Sequence, residues 1–166
     1  FLNDLFLKSK EYMKIVNPKR EDYDNRKEYF YLVESFKNLT NVFGITQTRI
    51  ACLALINAKQ LETITHKQFK NVVKHIEDFH FVYNAVCTLR ANAFESIYSK
   101  FAIALNKAKN SYDAQKAIQM LYNKLLELYP TYEIFEAKFI KINYSKNYLN
   151  SNVLAKYVAN RIKKKY

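Results

Sequence analysis

Acid–base, metal or nucleophilic chemistry has few places to occur in a chain of 166 residues with three histidines and two cysteines. The densest group is His75, Asp78 and His80. Histidine titrates near neutrality without help, so a general base or a metal ligand is sought there first. On a helix His75 and Asp78 share a side, but His75 and His80 are five apart, about 140° round the axis, which is poor geometry for one ion. The cluster is therefore read as exposed or hydrogen-bonded polar residues near a helix end. His66, directly after a capping threonine, is expected in solvent. Carboxylates pair as Glu21 with Asp22 and as Glu77 with Asp78. Sequence neighbours diverge on a helix, so both pairs are read as solvated faces. Cys52 and Cys87 lie inside apolar runs without Cys-x-x-Cys spacing. That predicts reduced, buried thiols, no disulfide or zinc, and a cytoplasmic chain. The expectation is a chain with no catalytic residue, no cofactor and no metal ligand of its own.

A second chemistry is electrostatic. The chain carries 27 Lys and Arg against 15 Asp and Glu, a net charge of +12. The excess is C-terminal: Glu136 is the last acidic residue, whereas cations continue to Lys165. Lys156, Arg161, Lys163, Lys164 and Lys165 are the candidate nucleic-acid contacts, interleaved with Tyr144, Tyr148, Tyr157 and Tyr166, whose rings could stack on unpaired bases. Lysine-rich composition from biased codons, spread over solvated faces, explains the same charge without a ligand. No arginine has a histidine four to six residues after it, the spacing used by small helical ribonucleases.

These residues must be positioned by helices. One glycine and two prolines in the whole chain are too few for the turns of sandwiches, barrels or doubly wound sheets. They also exclude any glycine-rich phosphate loop. The predicted fold is all-α, a single irregular domain of about seven or eight helices over residues 1–166. Leu2, Leu5, Phe6, Met13 and Val16 fall at helical spacing ahead of Pro18. Tyr29, Leu32, Phe36, Leu39 and Phe43 mark a second helix capped by Gly44. Thr46 or Thr48 can start a third, whose run Ile50 to Ile56 is apolar all round and so central. Thr65 and Gln68 form a capping box with Ile64 and Phe69 as its hydrophobic staple. That helix runs to about His80, where clean periodicity stops. Asn92 and Glu95 suggest another box, and Ser111 a further cap before Ala114, Ala117, Ile118, Leu121, Leu125 and Leu128. Thr131 restarts a short helix, 143–152 is expected as an exposed loop, and a last helix buries Leu154, Tyr157, Val158 and Ile162. Leu53, Ile76, Phe94, Phe101, Leu121 and Val158 are assigned to the core.

No stretch free of Lys, Arg, Asp and Glu exceeds Phe79 to Leu89 in length, far short of the roughly 20 apolar residues that span a bilayer. With Phe1 first and no basic leader, the chain reads as a piece of a longer protein.

The stretch from Glu77 and Asp78 through Phe79, His80 and Phe81 to Arg90, followed by Tyr98, Ser99, Lys100, Phe101 and Ala102, resembles the middle of GmrSD-type modification-dependent (type IV) restriction proteins. Leu154, Ala155, Lys156, Tyr157, Val158 and Arg161 are similar to the helix that leads into that family's HNH nuclease half. The resemblance covers roughly residues 30–166. It implies a helical connector between a ParB-like NTPase half and a nuclease half. The family's Asp-Gly-Gln-Gln-Arg and His-x-x-Pro signatures are both missing here, so no catalytic residue carries over. The implied function is a scaffold or interaction module of a DNA-defence protein, with the parent's other domains as partners and no membrane. Direct DNA binding through the basic C-terminal helix is the alternative.

Overall fold

A computed structural model describes the backbone of residues 2–90, 92–144 and 149–165, and within them every side chain except those of Asp4, Leu149, Asn150, Ser151, Lys164 and Lys165. The described residues form eight α-helices and no strand. They are α1 (Leu2–Val16), α2 (Phe30–Lys37), α3 (Thr48–Gln60), α4 (His66–His80), α5 (Phe94–Lys107), α6 (Ser111–Leu126), α7 (Tyr132–Phe139) and α8 (Leu149–Lys165).

The apolar run of α3 makes it the centre. It packs on α1 and α4 and most extensively on α5, which carries α6, while α2 packs on α4. Ala51, Cys52, Ala54, Leu55, Ile56 and Ala58 are buried, and one continuous core runs from Ile15 to Leu125. Ile76, Phe94, Phe101 and Leu121 lie in it as predicted. Leu53 and Val158 do not: each is half-buried. For Leu53 the reason is local, because one flank of α3 stays open between α1 and α5, leaving Ile50 40% exposed.

Capping follows the sequence where packing permits. At α4 the Thr65 side chain accepts from Gln68 N–H and the Gln68 side chain from Thr65 N–H, with Ile64 and Phe69 buried as the staple. At α6 the cap is Asn110, one residue before the expected Ser111, and its side chain accepts from Asp113 N–H. The Asn92 box does not form. Helix α5 starts only at Phe94, with Ala93 at the cap, and the Phe94 ring sits in the core, so packing overrides the local signal. Neither Thr46 nor Thr48 caps α3; Thr48 is buried and donates to the Ile45 carbonyl.

α1 forms where the apolar spacing ahead of Pro18 predicts a helix. Ile15 is buried, whereas Leu2, Leu5, Phe6 and Met13 are each more than half exposed and Val16 is half-buried. At 100° per residue those five form one stripe that points away from the side carrying Ile15. The apolar stripe that marks this helix in the sequence faces outward.

Two segments wind more loosely than an α-helix. After α2, residues Asn38–Val42 form a π turn closed by Phe43 N–H to the Asn38 carbonyl at 2.9 Å. After α4, Phe81–Val86 does the same, with Cys87 N–H reaching the Val82 carbonyl at 3.0 Å. This second turn is the physical cause of the periodicity lost after His80, because an extra residue per turn breaks the 3.6 repeat. Both turns end on a left-handed residue, Gly44 (φ +69°) and Thr88 (φ +56°), and the next N–H reaches back to Leu39 or Tyr83.

α7 packs on the second π turn and α8 on the first. In α8 Tyr157 is buried and Leu154 half-buried, but Ile162 is 53% exposed, against expectation. It lies five residues beyond Tyr157, about 140° round the axis from the docked side. The helix begins at Leu149, so the exposed loop is shorter than 143–152; residues 145–148 lie outside the described residues.

A Cβ at Gly44 would touch nothing within 4 Å, so a substitution there meets backbone strain alone. Gly44→Ala is expected to lower stability by about 1 kcal/mol, read from the urea midpoint. An unchanged midpoint would show that the left-handed cap is not needed.

Candidate functional site

The spacing that buries Phe69, Val73 and Ile76 on α4 continues to Glu77 and His80, and both are buried. Each then needs partners, because an unpaired polar group in a core is strongly destabilising.

Glu77, 7% exposed, finds them on three elements. Ser35 of α2 donates its hydroxyl at 2.6 Å and Asn38, opening the first π turn, its amide at 2.9 Å. Tyr157 of α8 donates its hydroxyl at 2.9 Å. The same hydroxyl accepts from Arg161 Nη1 at 2.7 Å, and that guanidinium pairs with Asp78 through Nη2 at 2.5 Å and lies 3.7 Å from Glu77. Burial and the neighbouring Glu77 charge push the Tyr157 phenol far above its ordinary range. Tyr157 stays protonated and remains a donor. Its ring packs edge-on to Phe43 and tilted against Phe81, so each π turn supplies one aromatic to seat α8.

His80 is fully buried. Asn84 donates its amide to the Leu89 carbonyl at 2.9 Å, which leaves its Oδ1 as the acceptor for His80 Nδ1 at 2.5 Å. Nε2 therefore accepts from the Tyr98 hydroxyl at 2.6 Å. Burial lowers the His80 pKa to about 4, despite the opposing Asn84 bond. At neutral pH the ring is an uncharged link between the second π turn and α5.

The remaining titratable groups are scattered. His75 packs on Tyr122 at 4.3 Å with its Nε2 unpartnered, and burial lowers its pKa. His66 is half-buried, edge-on to Tyr29 and Tyr31 rather than in open solvent. Cys52 and Cys87 are free and buried, and burial pushes the Cys52 thiol up to about 12. Among the described residues no group of three or more His, Cys, Asp or Glu is arranged to hold a metal ion. Nor, among them, is any helix long and apolar enough to cross a membrane.

No family model, no curated protein and no solved structure matches this chain. Its own geometry must carry the functional reading.

The five C-terminal cations separate. Lys156 and Lys163 are exposed, Arg161 is turned inward to Glu77, Asp78 and Tyr157, and the side chains of Lys164 and Lys165 lie outside the described residues. Glu77 with Asp78 is not a solvated pair: Glu77 is buried, and half-buried Asp78 holds Arg161. Ser35, Asn38, Glu77 and Tyr157 were not singled out from the sequence as a group. The available signal was the α4 spacing, which carries the buried side onto 77 and 80, and the i,i+4 relation of Tyr157 to Arg161.

Glu77→Ala strands three donors, those of Ser35, Asn38 and Tyr157, and is expected to lower stability by about 3 kcal/mol or more. Tyr157→Phe should lose about 1.5 kcal/mol. Hydrogen exchange should rise first in α8 for both, and unchanged α8 protection would exclude this network as the anchor. His80 has its folded pKa depressed, so its contribution is complete above its unfolded value near 6.5 and is lost as pH falls toward 4. Between pH 7.5 and pH 5 the chain should lose about 2 kcal/mol from this group. The His80 ring resonances should show no protonation over that range while the protein is folded; a midpoint near 6.5 would refute the assignment.

Proposed function

We propose that this chain is a helical scaffold and interaction module of a restriction or DNA-defence protein, joining other domains of a longer chain and carrying no catalytic centre of its own. The observation that supports this most is the outward stripe of α1. Leu2, Leu5, Phe6 and Met13 lie along one side of α1, each more than half exposed, with only Lys10 of the same helix seen over the Phe6 ring, and an exposed apolar side of this kind marks a protein contact. The polar networks point the same way. Glu77, Ser35 and His80 are buried and saturated with hydrogen bonds, which suits them to fixing helices rather than meeting a substrate. The resemblance to the connector of GmrSD-type proteins supplies the biological setting, and a cytoplasmic location goes with it.

The second reading, DNA binding through α8, keeps the support of exposed Lys156 and Lys163. It loses Arg161, whose charge is engaged by Asp78 and Glu77.

One experiment separates the readings. The chain is incubated with nucleoside triphosphates, magnesium and labelled duplex DNA, modified and unmodified, and both turnover and anisotropy are followed from low to high salt. The scaffold reading expects no turnover, and DNA binding no stronger than that of a variant with Lys156, Arg161, Lys163, Lys164 and Lys165 all changed to glutamine. Binding that the variant loses, with log affinity falling at about −0.9 per phosphate against log salt, would favour the α8 reading. Turnover abolished by His75→Ala or His80→Ala would overturn both. In the coding sequence on either side, an upstream Gln-Gln-Arg signature and a downstream HNH motif are expected; their absence would remove the restriction assignment.

A further inference from the structure

The open flank of α3 is a trench. Ile50, Leu53 and Ala54 form its floor, Tyr12 of α1 and Ala102 of α5 its walls, and it encloses about 520 Å³. Floor residues run from Arg49 to Gln60, about 16 Å or three helical turns. An apolar floor of that length, with residues at i, i+3 and i+4, matches the anchors of an amphipathic helix laid in a groove.

Arg49 at one end says what charge the occupant brings. Nη1 reaches only the Tyr12 hydroxyl, at 3.4 Å, and no carboxylate among the described residues pairs with the guanidinium, whose Nε alone is shut off from solvent. The carboxylate on the trench wall, Glu11, is already paired with Lys14 at 2.9 Å. A guanidinium beside an apolar floor with no carboxylate of its own offers its Nη groups as half of a charge-assisted pair. We infer that the trench binds an amphipathic helix of a partner protein, its apolar residues seated on Ile50, Leu53 and Ala54 and a carboxylate paired with Arg49. A second copy of this chain is a poor occupant, because it would bring +12 against +12. This inference rests on the interaction-module reading and names one of its surfaces, distinct from the outer stripe of α1.

The test uses a fluorescein-labelled 15-residue designed helix with leucine at i, i+3, i+4, i+7 and i+11 flanked by glutamates, and a twin with lysine in place of glutamate. At 150 mM salt the glutamate peptide should bind the chain and the lysine twin should not. Arg49→Gln and the surface change Ile50→Glu should each weaken binding at least tenfold, with helical content unchanged by circular dichroism. Lys156→Gln with Lys163→Gln should leave the affinity within twofold. Amide shifts on titration should cluster on α1, α3 and α5. Absence of binding, equal loss in the Lys156 and Lys163 variant, or shifts mapping elsewhere would each overturn the proposal. Failure of the module reading itself shows separately, as turnover or as salt-dependent DNA binding, neither of which involves Arg49 or Ile50.

Discussion

A carboxylate at 7% exposure persists in a core only when donors surround it, and Glu77 draws them from α2, the first π turn and α8. These elements are far apart in sequence: Ser35 lies 42 residues before Glu77 and Tyr157 80 after it. Loop closure over such spans costs conformational entropy that contacts must offset. One anion is the point where three of these closures meet. Arg161 completes the arrangement from the solvent side, balancing Asp78 as well. The charge that sequence alone offers to DNA is thereby used to hold the protein's own last helix.

The π turns are the second half of this construction. Each widens the backbone ladder by one residue and sends a carbonyl or a side chain where an α-helix would not. The first places Asn38 against Glu77, and the second carries Asn84 back to His80, four residues along. The rings of Phe79, Tyr83, Phe94 and Tyr98 pack around that second turn, with centroids of successive pairs between 5.3 and 6.3 Å. Aromatic edges and faces fill the space that the looser winding opens.

Much of this was legible in the sequence, and the failures share a cause. Thr65 with Gln68, the heptad-like spacing of α6 and the glycine at 44 act within a few residues, so local physics decides them. The outward turn of Ile162, the open flank beside Leu53 and the late start of α5 at Phe94 depend on what other helices cover. No spacing inside one segment encodes that. The buried network falls between these cases. Glu77 and His80 lie in phase with Phe69, Val73 and Ile76, so their burial could be projected along α4. Their partners, Ser35 and Tyr157, could not. The π turns left a fainter trace: both lie in eleven-residue stretches without a charged side chain, 38–48 and 79–89.

The looser winding also has an evolutionary reading. A π turn holds one residue more than the α-helical turn it would revert to, and this chain has two among its described residues. Reversal is not symmetrical. Removing one residue from Asn38–Val42 would restore the tighter ladder but rotate everything downstream by about 100° relative to α2. Asn38 could no longer reach Glu77 while Phe43 reaches Tyr157. Single-codon deletions should therefore be purged at these two segments, although the backbone around them could accommodate the shorter chain. Length variation among descendants of this sequence should collect instead at the stretch between α1 and α2 and between α7 and α8, where no described buried carboxylate keeps count of the residues.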